Sequence, residues 1–187
     1  MMKRVAFWFC AVVTSPLNAH PNVPSSPGVD APELAKLGPY AVGFRTITLV
    51  NERQPDLENV DSSKAEVSLM DRTLEIDIWY PARVAKGAKT VIYRGSLWGE
   101  PPRPAVSFSQ AGLAVANATP FGQGHPLVVV SHGYSNNPAV MTWLTENLAS
   151  KGYVVAAIHH RDPNPYMVSA VKRAAPNFNR PVDIAFA

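Results

Sequence analysis

The chain has 187 residues, enough for one domain with a sizeable core, and 47% apolar against 17% charged residues excludes an intrinsically disordered chain. The formal charge is +3, but Lys3 and Arg4 read as part of an export signal. Without them 15 basic side chains face 14 acidic ones, no basic stripe stands out, and nothing argues for a nucleic-acid partner.

Residues 1–19 read as a signal peptide. Lys3-Arg4 form its basic start, and "VAFWFCAVV" (5–13) its apolar stretch, nine residues long and too short to span a bilayer as a helix. "TSPLNA" leads to a cleavage point after Ala19, so the mature chain is expected outside the cytoplasm, periplasmic or secreted. The competing reading is a buried N-terminal helix. Cys10 lacks the small residues that precede a lipid-modified cysteine. It is the single cysteine, so cleavage leaves no disulfide, thiol nucleophile or thiolate metal site. No second apolar segment is long enough to cross a membrane.

Residues 20–39 form a Pro-rich leader. "YAVGFRTITLV" (40–50) reads as a strand whose apolar parity switches between Phe44 and Ile47, predicting a bulge or twist there. After a polar stretch (51–71), "RTLEIDIWYPA" (72–82) alternates: Leu74, Ile76 and Ile78 on one face, Glu75, Asp77 and Trp79 on the other. Pro81 is expected to end that strand. The two strands are expected to pair antiparallel. Between 83 and 126, "TVIY" (90–93) suggests a short strand and "SFSQAGLAVANA" (107–118) a short helix.

From Pro126 the pattern sharpens. "LVVV" (127–130) reads as a strand buried on both faces, followed by the loop "SHGYSNN". Asn137 is placed to cap a helix that has Pro138 in its first turn. That helix carries Val140, Met141, Leu144 and Leu148 at helical spacing, with Lys151 in its last turn and Gly152 as its stop. "YVVAAIHH" (153–160) reads as a second buried strand. This is a β-α-β unit with parallel strands and a right-handed crossover. With the antiparallel pair upstream it gives a mixed sheet and an α/β fold. Residues 161–181 read as a loop, and "RPVDIAFA" (180–187) as the start of a helix opened by Pro181.

Gly133-Tyr134-Ser135 looks like half of a G-x-S-x-G nucleophile elbow. Asn137 stands where a small residue is needed, and Pro138 starts the helix too late for a sharp turn at Ser135. The downstream histidines are His159 and His160; Glu146, Asp162 and Asp183 are the acids, and none has the right chain order for a triad. Ser131 cannot pair with its neighbour His132, because adjacent strand residues face opposite ways. The loop fits another role. Gly133 allows close backbone approach, and the backbone N–H of Tyr134 can point at a developing oxyanion. A plain glycine turn between strand and helix fits the local pattern equally well.

"PLVVVSHGYSNNPAVMTWLTENLASKGYVVAAIHHRD" resembles the α/β-hydrolase fold. More narrowly it is similar to the bacterial dienelactone-hydrolase-like proteins related to platelet-activating-factor acetylhydrolase. "SHG" after an apolar strand, "LASKGYVVAA", "HHRD", "DIWYPA" (77–82) and "RPVDIAFA" carry the likeness, which covers about 40–82 and 126–187. The resemblance implies a serine hydrolase acting on a small ester or lipid-like substrate, without metal or organic cofactor. It implies an oxyanion hole built on the N–H of Tyr134 beside Gly133, with His132 supporting it. It also implies that nucleophile, acid and histidine lie beyond Ala187, since no G-x-S-x-G occurs in the chain. Residues 40–187 then form an incomplete domain, inactive alone, with an apolar strand edge prone to aggregate. Two rivals are a metal hydrolase using His159, His160 and Asp162, and a non-catalytic binding protein on a hydrolase scaffold. Diverging histidines and the lack of H-E-x-x-H spacing count against the metal.

Overall fold

The computed structural model describes residues 32–60, 63, 66–134 and 136–187. The expected signal peptide, Cys10, most of the expected leader and Ser135 lie outside the described residues. A mixed sheet runs in the order β5-β1-β2-β8-β7, with β6 paired to β2. Its long pair is β1 (Ala41–Pro55) and β2 (Leu69–Arg83), antiparallel from Ala41↔Ala82 to Asn51↔Arg72. β3 (Ile92–Leu97) and β4 (Val106–Ala111) form a separate two-stranded sheet. Two short strands, β5 (Val115–Ala116) and β6 (Thr119–Pro120), return to the main sheet.

The β-α-β unit is as the sequence predicts. β7 (Leu127–Ser131) and β8 (Val154–His159) pair in parallel, Leu127↔Val154 through Ser131↔Ile158. Between them, Asn137 caps a 3₁₀ turn (Pro138–Met141), its side chain accepting the Ala139 N–H. The turn continues into α2 (Thr142–Ser150). Gly152 closes the helix at φ +103°, a conformation that favours glycine. A short α1 (Pro32–Ala35) precedes β1, and α3 (Ala170–Ala174) and α4 (Pro176–Phe186) follow β8.

Several local expectations are corrected. The β1–β2 register is unbroken across the parity switch; the irregularity falls between Asn51 and Gln54. Pro81 does not end β2. It sits between the last pair with β8, Trp79↔Val155, and the first with β6, Ala82↔Pro120, so no ladder loses its missing N–H. Residues 107–118 hold β4 and β5 instead of a helix, and the strand expected over 90–93 begins at Ile92. β7 is buried on one side only: Val130 is core, whereas Leu127 and Val129 are exposed at the end of the sheet. Residues 161–181 are not all loop, because Pro176 opens α4 and leaves Pro181 inside it.

The largest surprise is which face of α2 is buried. Thr142, Thr145, Glu146 and Ala149 point inward, while Met141, Leu144 and Leu148 are half-buried. Small side chains let the helix approach the sheet, and Glu146 reaches a set of donors. Its Oε1 accepts from the Tyr93 hydroxyl (2.8 Å) and the N–H groups of Leu113 (2.7 Å) and Ala114 (2.9 Å). Tyr93 in turn accepts from the Trp79 indole at 2.7 Å. Trp79, assigned to the polar face by simple alternation, is fully buried and packs with Val42, Tyr93, Val130, Ala149 and Val155. Tyr93 of β3 and Ala149 of α2 pack over the Trp79 face of β2 and Asp183 of α4 meets Arg72 on the other, so both faces are covered and alternation misleads.

Candidate active site

The loop after β7 starts at His132 and reaches the Asn137 cap. His132 is 3% exposed, and its Nδ1 lies 2.8 Å from the Gly133 carbonyl oxygen. Burial lowers the His132 pKa, helped by the nearby Arg180 charge, so the ring is neutral at pH 7. Nδ1 therefore carries the proton and donates to Gly133. The same carbonyl accepts the Asn136 N–H at 3.2 Å. In a trans peptide the N–H points opposite to the carbonyl. The Tyr134 N–H is thus turned away from these two donors, and no acceptor meets it among the described residues. A Cβ built on Gly133 would touch nothing within 4 Å, so the space beside the loop is open.

The Tyr134 side chain stretches to the following loop, its hydroxyl donating to the Pro163 carbonyl at 3.2 Å. Its ring borders a cleft of about 460 Å³ shared with Pro165, Tyr166, Arg173, Asn177 and Arg180. The cleft mixes aromatic and cationic side chains and lies directly beside the loop.

Behind the loop stands a chain of buried polar groups. Ser131 Oγ lies 2.8 Å from His160 Nε2, and His160 Nδ1 lies 2.9 Å from Asp183 Oδ2. The carboxylate only accepts, so Nδ1–H donates to it and Nε2 accepts the Ser131 hydroxyl proton. Arg72 grips both Asp183 oxygens, Nε to Oδ1 at 2.6 Å and Nη2 to Oδ2 at 3.0 Å. The side chains of His160 and Asp183 have no exposed surface. Burial alone would raise the Asp183 pKa. The hydrogen bonds from His160 and Arg72, together with the Arg72 charge, outweigh it and hold the carboxyl below its usual range.

This Ser–His–Asp order has triad-like bond lengths. Its electrostatics differ, because the guanidinium already neutralises the carboxylate that would have to stabilise an imidazolium. A second tether is Arg180, which pairs with Asp162 and donates from Nη1 to the His132 carbonyl at 2.5 Å.

The sequence-predicted residues thus separate into groups. Gly133, Tyr134 and His132 lie together on the loop. Asp162 pairs with Arg180, not with its neighbour Arg161. Glu146 belongs to the Tyr93 cluster. His159 faces away from His160: its Nε2 lies 2.7 Å from Asp77 Oδ2, and Thr46 donates to the other Asp77 oxygen at 2.6 Å. His159, His160 and Asp162 therefore hold three different partners and do not converge on one ion. Sequence reasoning missed Arg72, Arg180 and the Ser131–His160 contact. Arg72 and Asp183 are 111 residues apart, and no local pattern links them.

An antiparallel pair leading into a parallel β-α-β unit, with a His-Gly loop at the end of its first strand, is a partial α/β-hydrolase fold. Among solved structures, the ferulic acid esterase from Streptomyces cinnamoneus superposes with a TM-score of 0.53 at 25% identity, covering 79% of this chain. The chain spans 45% of that esterase. A sequence model of the family described as platelet-activating factor acetylhydrolase, isoform II, matches residues 35–184, and the chain belongs to that family. A search of the curated proteins found no match.

Proposed function

We propose that this chain is the oxyanion-bearing part of a carboxylic ester hydrolase that acts on small or lipid-like esters. The observation that carries the reading is the Tyr134 N–H, which meets no acceptor among the described residues, on a peptide whose carbonyl is held by His132 and Asn136. A donor fixed before the reaction stabilises an alkoxide without reorganising as charge develops. Gly133 leaves room for the carbonyl carbon's substituents, and His132 holds the peptide plane. The cleft with Tyr134, Tyr166 and Arg173 lies where one side of the ester would sit. Family membership and the likeness to an esterase support the reaction class.

In this reading the nucleophile, acid and histidine lie C-terminal to Ala187, residues 40–187 form part of the domain, and residues 1–19 direct export. Ser135 is not the nucleophile in this scheme. The reaction needs no metal in this scheme, because the backbone donor supplies the electrostatic stabilisation. A product extended past Ala187 by its downstream reading frame, carrying a G-x-S-x-G within about a hundred residues, is expected to hydrolyse p-nitrophenyl acetate. The 187-residue chain is not. Hydrolysis by the 187-residue chain that Ser135→Ala abolishes would overturn the assignment. The mature N-terminus of exported protein is expected at His20, readable by terminal sequencing.

A non-catalytic binding protein on the same scaffold is the second reading. The absence of G-x-S-x-G from these 187 residues favours it. A stop after Ala187 followed by unrelated sequence would select it.

A further inference from the structure

We infer that α4 braces the oxyanion loop, with Arg180 and Asp183 as positioning residues that set the direction of the Tyr134 N–H through Ser131, His160 and the His132 carbonyl. This rests on the ester-hydrolase reading for its chemical purpose, but not for its geometry.

The two residues are three apart on one helix and so project from neighbouring positions of one face. Each takes hold of a different point of the loop. Asp183 works through His160 to Ser131, the last residue of β7. Arg180 reaches the next residue, donating directly to the His132 carbonyl. Successive residues entering the loop are thus held from one helix, and His132 passes the constraint to the Gly133 carbonyl. The helix is itself anchored: Arg72 on β2 binds both Asp183 oxygens, and Asp162 after β8 binds Arg180. The loop is therefore tied to two strands of the sheet as well as to α4.

The inner groups are inaccessible and fully partnered. His160 and Asp183 are enclosed, and no buried side-chain nitrogen or oxygen lacks a partner among the described residues. Ordinary strand pairing would hold Ser131 without any of this. A polar chain of buried Arg72, Asp183 and His160 that ends on exposed Ser131 serves to orient the Gly133–Tyr134 peptide.

Hydrogen–deuterium exchange with residue-level fragmentation tests the brace in the 187-residue chain. Ser131→Ala removes one link at an exposed position without disturbing the buried ion pair. Arg180→Lys keeps the charge beside Asp162 but removes the planar fork that also reaches His132. Both are expected to accelerate exchange at Asn136, whose N–H is bonded to the Gly133 carbonyl, by roughly tenfold, the effect of one hydrogen bond. Amides of Val155 to Ile158 should keep their rates. Ser131→Thr, which restores the hydroxyl, should return the loop to its original rate. Asp183→Asn is the more direct variant, but it strands Arg72 and can fail to fold, so the first two decide. Unchanged loop exchange in either variant, or acceleration spread equally over β8, would overturn the brace. So would a missing rescue by threonine, or covalent capture of Ser131 by a fluorophosphonate, which would make Ser131 a nucleophile. None of these readouts depends on ester turnover, so failure of the brace is distinct from failure of the proposed reaction.

Discussion

Glu146 and Asp183 are both buried carboxylates, held in opposite ways. Glu146 is surrounded by neutral donors: a phenol and two backbone N–H groups. Burial raises its pKa, and these hydrogen bonds only partly offset the rise. Asp183 has a guanidinium and an imidazole, and its pKa falls. Arg72 and Trp79 have opposite parity on β2, so the two clusters lie on opposite faces of the sheet. One face stores a carboxyl that tolerates its proton. The other stores a charge that must be matched, and that is the face behind the candidate oxyanion loop.

The sharpest way to break this contrast is to remove the matched charge. Asp183→Asn leaves Arg72 buried without its counter-ion and is expected to cost about 3–5 kcal/mol, read from urea denaturation. The smaller cost of losing neutral partners makes the comparison: Tyr93→Phe strips the Trp79 indole of its acceptor and Glu146 of a donor, for about 1–3 kcal/mol in the same assay. If the two losses are equal, charge matching is not what distinguishes the faces.

Acid titration separates them by sign. Asp183 has a folded pKa below its unfolded value, so its contribution is present above about pH 4 and is lost as pH falls through the folded value. Glu146 has a folded pKa above its unfolded value, so its contribution is full at low pH and is lost as pH rises through the folded value. Glu146→Gln keeps an acceptor for the same donors and is expected to flatten the decline above about pH 4.5, by at most about 1.4 kcal/mol per pH unit. A urea midpoint whose slope with pH is the same in both proteins would remove Glu146 from the account. The smallest effect belongs to the partly exposed pair. His159→Ala frees Asp77 at a site where the imidazole is 34% exposed, and is expected to cost no more than about 1 kcal/mol.

The β-α-β unit is legible in the sequence because its signals are local: Asn137 before Pro138, Gly152 after Lys151, and the apolar runs at 127–130 and 153–158. Gly133 and Tyr134 can be singled out for the same reason, and the structure adds the partners of the Gly133 carbonyl, His132 and the Asn136 N–H, which no local pattern names. The illegible features depend on neighbours distant in the chain. Trp79 lies inside because Tyr93 and α2 cover that face of β2, and nothing within residues 72–82 encodes that cover. Leu144 and Leu148 mark a helix correctly but not its buried face, because Glu146 is drawn inward by donors from residues 93, 113 and 114. The Arg72–Asp183 pair joins the start of β2 to the end of α4. Pro176 escapes notice as a helix start because Pro181, five residues on, offers the same signal.

Pro81 has a consequence for how this architecture can vary. β2 keeps β1 along one side for nearly its whole length, while on the other side it has two successive partners, β8 and then β6. The change of partner falls at the one residue that has no proton to give, and the Pro81 carbonyl is taken by the Phe121 N–H. Hydrogen bonding on either side of that point is independent. The excursion from Arg83 to Thr119 sends Tyr93 and Ala114 into the core, so it can vary freely only at the tip of its hairpin, between Leu97 and Val106, where added length leaves the Trp79↔Val155 register, and the end of β8 that leads into His160 with it, where they are.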